Sequence, residues 1–560
     1  MKKNCTKCQQ AFEIRQKDVN FYDKISPIFS DKKKYTVPAP NICPDCRHQK
    51  RLCFRNERNL YSRTCDLCKK NIISIYSPDK KLIVYCHDCW WNDRWDSTEY
   101  GKEYNFQKPF FEQYHELLKN VPKAAVITFR NENCEYTNFQ NDSKDCYLTF
   151  GSGFMKDCMH CNWCYYAKDI LDCSYCSNAE LDYMNIDCFQ TYHTKFCQDC
   201  KSISNCDYCF DCRNCQDCFG CVGLRNKQYH IFNQLFDKKT YEKQVEKWTG
   251  LIRSQRGLTI EKHLQKLKLA HPHLSNKIMS SENCTGDEIE NCKNCEQCFG
   301  IKDCEDCSYH FDVFKSKDCY DVNRSGLNEL AYEICGGGYY KNTMSLFTSA
   351  NINDSYYLFE CMYSQHLFGC VGVKRKEYMI LNKSYSKEAY KALVGKIIEH
   401  MQQTGEWGMY FPASLSPFGY NETLAPDYYP LNEKEARSQG FQWSKYQASS
   451  PEVKKHIPAI SLPDNINKVS DDILNTAIEC EISKKPFKII KQELNFYRKN
   501  NIPLPKLHPN ERYKNRIKKQ NPRRLWSRTC NQCKKPIHSP YSPDRHEIIY
   551  CENCYLKTIY

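Results

Sequence analysis

Between residues 134 and 370 the apolar positions keep neither a helical nor a simple alternating period. They are largely cysteines, placed at short regular steps. Twenty-six cysteines fall in this stretch and sixteen of them directly follow Asp or Asn. Asp145, Asp157, Asp172, Asp187, Asp199 and Asp211 each precede a cysteine, at steps of 12, 15, 15, 12 and 12 residues. Cys206, Cys209, Cys212, Cys215, Cys218 and Cys221 stand at a strict period of three, and Cys292, Cys295 and Cys298 repeat that rhythm. A short step of this kind with few helix signals predicts a β-solenoid, whose coils are too short to bury a face alone and so must stack. Cysteine suits a narrow interior because it is small and apolar. Asp or Asn before it suits a corner, where a short polar side chain bonds its own backbone and tolerates left-handed geometry. Serines, threonines and tyrosines are expected to face outward or to cap the ladder. The same cysteines could instead hold several Zn or Cu ions or iron–sulfur clusters. No Cys-Pro follows these runs, as cluster ligation often requires. His160, His193 and His310 lie near, but no nucleophile–base arrangement can be read out.

The middle reads as duplicated. Phe219-Gly220-Cys221-Val222-Gly223, followed by Tyr229, Ile231, Asn233 and Tyr241, recurs as Phe368-Gly369-Cys370-Val371-Gly372 with Tyr378, Ile380, Asn382 and Tyr390, at a constant offset of 149. After each copy the period changes to that of a helix, over 238–253 and 386–402. In the second, Tyr390, Leu393, Val394, Ile397, Ile398 and Met401 form an apolar stripe. These helices are expected to close the open end of each stack and block edge pairing. Phe110, Phe111, Tyr114, Leu117 and Leu118 predict a further helix, after Trp90, Trp91 and Trp95, that docks the first ribbon onto the solenoid. Residues 405–470 are rich in Pro, Ser and aromatics and read as an irregular segment wrapping a surface.

At the two ends the cysteines come in pairs. Cys65, Cys68, Cys86 and Cys89 are C-x2-C, 17 residues, C-x2-C, and the set recurs at Cys530, Cys533, Cys551 and Cys554 with the same spacer. Such spacing brings four thiolates onto one tetrahedral ion with a β-hairpin between the knuckles. Ser77-Pro78-Asp79 and Ser542-Pro543-Asp544 read as matching turns. Cys5, Cys8, Cys43 and Cys46 form a further set over a 34-residue spacer. Closed four-thiolate sites favour structural Zn(2+) over iron, about three per chain, although spacing alone leaves the metal open. The N-terminal set has a counterpart. Cys5 to Phe12 and Cys480 to Phe487 are both seven residues, and Cys46 to Cys65 and Glu511 to Cys530 are both 19. In that second copy the ligand positions read Cys480, Ser483, His508 and Glu511, a poor set expected to have lost its metal and to be held by packing.

Charge sharpens the picture. The chain has 560 residues, 40 Cys and a formal charge of +14, yet 484–528 holds fifteen Lys or Arg against two acids, Glu493 and Glu511, a net +13. The remainder is close to neutral. So dense a patch beside a zinc ribbon points to a phosphate-binding surface, with an acidic protein as the other candidate partner. The expected nucleic-acid contacts, to RNA or DNA, are Arg512, Lys514, Arg516, Lys518, Lys519, Arg523, Arg524, Trp526 and Arg528. Phe496, Tyr497 and Tyr513, with Trp526, are expected to stack on bases. A mean hydropathy of -0.75 and the lack of a long apolar run exclude a membrane helix. The start, Met1-Lys2-Lys3-Asn4-Cys5, has no apolar signal region, so a reducing, cytoplasmic setting is expected. No P-loop, dinucleotide fingerprint or HExxH pattern is present, so no catalytic residue is assigned and an enzyme is not favoured.

CTKC…FEI…NFY…CPDCR, over about 50 residues, resembles the small probable zinc-ribbon family, here with a longer spacer. The arrangement RTCDLC…YSPD…VYCHDCWW, FGCVGLRNKQY and FGCVGVKRKEY, SPFGYNET and RRLWSRTC…YSPD…IIYCENCY is similar to Cys-rich multi-zinc-ribbon proteins of candidate-phyla-radiation bacteria. The resemblance implies a bacterial cytosolic protein of repeated architecture and implies no activity. The expected fold is mainly β and modular: zinc ribbons at both termini flanking a duplicated Cys-rich β-solenoid with capping helices. The segments are a zinc module (1–60), a ribbon (61–100), a helical connector (101–130), two solenoid copies (131–255 and 256–403), an irregular connector (404–475), a basic degenerate module (476–524) and a C-terminal ribbon (525–560). The leading function is a non-enzymatic nucleic-acid-binding scaffold. A protein-assembly scaffold using the solenoid face, and a metal-storage or redox protein using the central cysteines, are the alternatives.

Overall fold

The computed structural model describes residues 1–29, 33–174, 179–251, 257–447, 453 and 455–559. Cys176 and the last residues of the helix expected over 238–253 lie outside the described residues. The chain forms two compact units, 1–127 with 276–446 and 128–275 with 447–560. Each unit therefore joins one terminal module to a solenoid segment remote in sequence.

The β-solenoid obeys a three-residue rule. A left-handed residue recurs at every third position, as at Asp145 (φ 54°), Leu148 (51°), Gly151 (62°), Phe154 (55°) and Asp157 (55°). Bridge partners stand twelve apart, so four such corners close each coil. One column climbs through Glu132, Lys144, Lys156, Lys168, Glu180, Tyr192 and Ser204. Left-handed geometry costs most residues about 1–2 kcal/mol, and Asp and Asn less. Those two types fill many corners and also pair between coils. Asn133 Nδ2 donates to Asp145 Oδ1 (3.1 Å), Asn294 Nδ2 to Asp306 (2.9 Å) and Asn342 Nδ2 to Asp354 (2.7 Å). Backbone bonds tie the coils: Lys144 N to Met155 O (2.9 Å) and Asp157 N to Lys144 O (3.1 Å).

The residue after each corner points inward. Four side chains per coil meet on a narrow axis, which explains the cysteines: Cys158, Cys161, Cys164, Cys173, Cys200, Cys206 and Cys212 are all fully buried. Their thiols are spent on backbone carbonyls two residues back and nine ahead. Cys158 Sγ reaches Lys156 O (3.1 Å) and Ala167 O (3.4 Å), and Cys212 Sγ reaches Phe210 O (3.5 Å) and Cys221 O (3.7 Å). The expectation that serines and threonines face outward is corrected here. Ser152, Ser349 and Thr194 are buried. Ser152 Oγ and Ser349 Oγ take the thiol's place on the carbonyl two residues back (3.0 and 3.2 Å) and accept the amide twelve ahead. The solenoid of 276–384 carries larger side chains inside, with Val322, Ile334, Leu346 and Leu358 at the inward positions. Tyr340 also lies inside, and Gly337 (φ 122°) makes room for it, since a Cβ there would lie 1.6 Å from the Tyr340 hydroxyl.

Both solenoids end alike. Asn233 Oδ1 accepts from Val222 N (2.8 Å) and its Nδ2 donates to Val222 O (2.8 Å). Asn382 makes the same two bonds to Val371 at the same distances. The helices Lys238–Leu251 and Lys387–Gln403 follow. The second buries Tyr390, Val394, Ile397, Ile398 and Met401. The helix Phe110–Asn120 sets Phe110 and Tyr114 into the unit formed by 1–127 and 276–446. Among the described residues no helix is long and apolar enough to cross a membrane.

In each unit two arginines one helical turn apart fix the module to the solenoid. In the second unit, helix Pro509–Ile517 carries Arg512 and Arg516. Arg512 Nη1 lies 2.5 Å from Asp172 Oδ2, and Arg516 Nη1 lies 2.8 Å from Asp172 Oδ1. Glu493 on helix Lys491–Lys499 joins through His160 Nε2 (3.3 Å), and Tyr497 accepts from Arg512 (3.0 Å). In the first unit, Arg47 Nη2 lies 2.8 Å from Asp321 Oδ2 and Arg51 Nη1 3.2 Å from Oδ1. Burial of Asp172 works to raise its carboxyl, and the two guanidiniums outweigh it, holding it below the usual range. Removing one partner of such a buried group costs about 3–5 kcal/mol because the remainder stays charged and unpaired.

Two outcomes are expected. Cys212→Ser keeps a donor for the same carbonyl and lowers stability by about 1 kcal/mol, whereas Cys212→Leu overfills the axis and costs about 1–3 kcal/mol; urea unfolding measures both. A leucine variant more stable than the serine variant would contradict the narrow interior around Cys212. Asp182 is buried inside a coil, where burial raises its carboxyl to about 6 against bonds from Thr191 and Thr194. A folded value above the ordinary carboxyl value of 3.8 means stability is fully present below about 4 and is lost as pH rises through about 6. Thermal melts from pH 4 to 7 should show that loss, and Asp182→Asn should flatten it.

Candidate metal centres and the basic surface

Three cysteine sets close in space. Within each of Cys5/Cys8/Cys43/Cys46, Cys65/Cys68/Cys86/Cys89 and Cys530/Cys533/Cys551/Cys554 the four Sγ atoms lie within 4.8 Å of one another. Cys8 and Cys43 Sγ are 3.7 Å apart, Cys68 and Cys86 3.8 Å, and Cys533 and Cys551 3.7 Å. A tetrahedron with metal–sulfur bonds of about 2.3 Å has edges of about 3.8 Å. Each set could hold a metal ion.

The local sequence builds the knuckles in one way. The amides of Cys5, Cys65 and Cys530 donate to the carbonyls of Gln10, Lys70 and Lys535 (2.9, 2.8 and 2.9 Å). Gln9, Lys69 and Lys534 sit at φ 61°, 63° and 62° to make that turn. The amides of Cys43, Cys86 and Cys551 each donate 3.3 Å to the Sγ of the first cysteine of their set. Burial works to raise the thiols of Cys65 and Cys530, and amide hydrogen bonds from Cys68 and Cys86, and from Cys533 and Cys551, bring both to about 6. Desolvation and the adjacent sulfurs push Cys89 up to about 12. Four crowded sulfurs cannot all ionise without a cation among them. Lys80 N bonds Ser77 O (3.2 Å) and Arg545 N bonds Ser542 O (3.1 Å), so Ser-Pro-Asp turns the chain in both ribbons.

Cys480, Ser483, His508 and Glu511 keep the knuckle backbone, with Cys480 N on Lys485 O (3.1 Å) and Lys484 at φ 57°. Two of their side chains are engaged elsewhere. His508 Nδ1 accepts from Asn510 N (3.1 Å) as a helix cap, and Glu511 pairs with Lys514 (3.1 Å).

The basic segment divides sharply. Arg512 and Arg516 are 3 % and 2 % exposed and are paired with Asp172. Placing them among the phosphate contacts is corrected: a guanidinium closed in by its own carboxylate cannot reach an external phosphate. Base stacking by Phe496, Tyr497 and Tyr513 is corrected for the same reason, since all three are buried. Lys514, Lys518, Lys519 and Arg524 are exposed, and Arg523, Trp526 and Arg528 are half-buried. The Arg524 guanidinium lies 5.6 Å from the Trp526 ring centre, and Arg528 Nη1 donates to Ser542 O (3.0 Å). Sequence reasoning missed Asp172, His160 and Glu493. A signal existed: the register that aligns Cys65 with Cys530 also aligns Arg47 with Arg512 and Arg51 with Arg516. A pair repeated in both modules marks a shared structural duty. No protein-family model matches the chain, and a search of curated proteins returns no match.

The full chain should bind three divalent ions by elemental analysis. Cys530→Ser should remove one and Cys480→Ser none; loss of a metal on Cys480→Ser would make the fourth knuckle a ligand site.

Proposed function

We propose that the chain is a zinc-organised, internally duplicated cytoplasmic scaffold that binds nucleic acid, RNA or DNA. Within the basic segment 484–528 contact is made through Lys514, Lys518, Lys519 and Arg524, together with the C-terminal ribbon. Zinc is favoured by three all-thiolate sets at tetrahedral spacing. Duplication is supported by pairs of equivalent contacts, Asp172 with Asp321 and Asn233 with Asn382, each at the offset of 149 seen in the sequence. The helices Lys238–Leu251 and Lys387–Gln403 then act as caps. The resemblance to multi-zinc-ribbon proteins of candidate-phyla-radiation bacteria accords with this reading.

The observation that carries the nucleic-acid assignment is the set Lys514, Lys518, Lys519 and Arg524, exposed beside a metal centre once Arg512 and Arg516 are buried. Lys514 and Lys518 stand one helical turn apart at the end of helix Pro509–Ile517, so their charges fall on one side. With about four phosphate contacts, the logarithm of the binding constant should fall with the logarithm of salt at a slope of about −3 to −4. Fluorescence anisotropy of a labelled 20-mer between 50 and 200 mM salt measures it. Lack of binding at low salt, or binding indifferent to salt, would contradict the proposal.

A further inference from the structure

The two modules share one architecture, yet only one has a covered outer face. In the N-terminal module a segment of its own unit lies across the helix Pro44–Leu52 and the strand Tyr61–Thr64. Gln49 Nε2 donates to Tyr420 Oη (3.0 Å), Lys50 Nζ to Tyr410 O (2.8 Å), and Ser416 Oγ to Cys53 O (2.7 Å). Asn59 Nδ2 reaches Glu422 O (2.8 Å). Tyr61 takes the edge of Tyr446, with ring centres 5.4 Å apart at 83°. Lys7 reaches up to Phe441, 4.1 Å from its ring centre. The contacts of this face are thus largely polar, with Tyr61 as its ring at these positions, and its cover brings two rings, Phe441 and Tyr446.

The register places Lys514 at the position of Gln49, Asn515 at Lys50, Lys518 at Cys53, Arg524 at Asn59 and Trp526 at Tyr61. Lys514, Lys518 and Arg524 are exposed. Ile482, the counterpart of Lys7, is 62 % exposed. Among the described residues nothing takes the place of the cover. At the first five of these positions the N-terminal face bears one cation, Lys50, and is closed, whereas the C-terminal face bears three and is open, with an indole where its twin has Tyr61.

We infer that this open face is the docking surface for a single strand of nucleic acid, with phosphates on Lys514, Lys518 and Arg524 and an unstacked base on Trp526 where Tyr446 lies in the twin. The inference rests on the proposed nucleic-acid function and narrows it to one face and one strand state. Charge complementarity selects a polyanion, and the aromatic position selects one whose rings are free to stack, which paired bases are not. The N-terminal module, its face already occupied, is assigned no such role.

The test uses the full chain with a fluorescein-labelled 20-mer of oligo(dU) or oligo(U) and a blunt mixed-sequence duplex of equal length. Lys514→Glu/Lys518→Glu/Arg524→Glu should weaken single-strand binding by about a hundredfold, and Trp526→Ala by about tenfold or more. The control Lys484→Glu/Lys485→Glu/Lys488→Glu carries the same charge change in the same segment. Its counterparts Gln9, Gln10 and Glu13 stay exposed in the N-terminal module, so it lies off the covered face and should change affinity by less than about threefold. Unchanged metal content shows that each variant is folded. Equal losses from the face and control variants, or duplex binding as tight as single-strand binding, would overturn the assignment of this face while leaving nucleic-acid binding intact. Lack of binding to either probe by the unmodified chain would overturn the function itself.

Discussion

A left-handed residue at every third position is the constraint on which the rest of this protein depends. It turns the chain four times in twelve residues and leaves an interior only a few atoms wide. Everything unusual in the composition follows. In the coils of 128–275 cysteine fills most inward positions and serine shares some of them, both spending their hydrogen on the carbonyl two residues behind, as Cys212 and Ser152 do. Asp and Asn collect at the corners because they bear left-handed geometry at least cost and bond to their copies in the next coil. A chain with so many cysteines thus uses most of them as compact apolar fill, and gathers twelve near its ends in three sets that could hold metal ions.

The ends depend on the solenoid in turn. Each module is clamped by two arginines on one solenoid carboxylate, Asp172 or Asp321. Such a clamp is costly to desolvate and costlier to break, so it fixes position more than it adds stability. Placing these groups at the face between module and solenoid withdraws four of the chain's arginines from solution, and what remains outside on the C-terminal module is a smaller, better defined cationic set.

Much of this was legible in the residues. The three-residue rhythm and the Asp-Cys steps announce a stacked β architecture, because a repeat that short has no other way to bury its inward side chains. The three cysteine sets are legible because ligation of one ion by four thiolates would demand such spacing. Two things were not. Which solenoid segment each module joins is a matter of long-range packing, and no local pattern encodes that 1–127 belongs with 276–446. The fate of Arg512 and Arg516 was also hidden, since a basic residue looks the same in sequence whether it faces water or a buried carboxylate. Only the alignment of the two modules, with Arg47 and Arg51 in the same places, could have separated them from Lys514 and Lys518.

Docking of single-stranded nucleic acid on the open face of the C-terminal module is the proposal on which the functional account turns. Ultraviolet cross-linking of the full chain to a 4-thiouridine-substituted oligonucleotide, followed by mass-spectrometric mapping of the modified peptides, tests it most directly. Adducts on Trp526 and on peptides spanning 509–529 are the predicted result. Adducts confined to the solenoid coils or to residues 1–90 would contradict it.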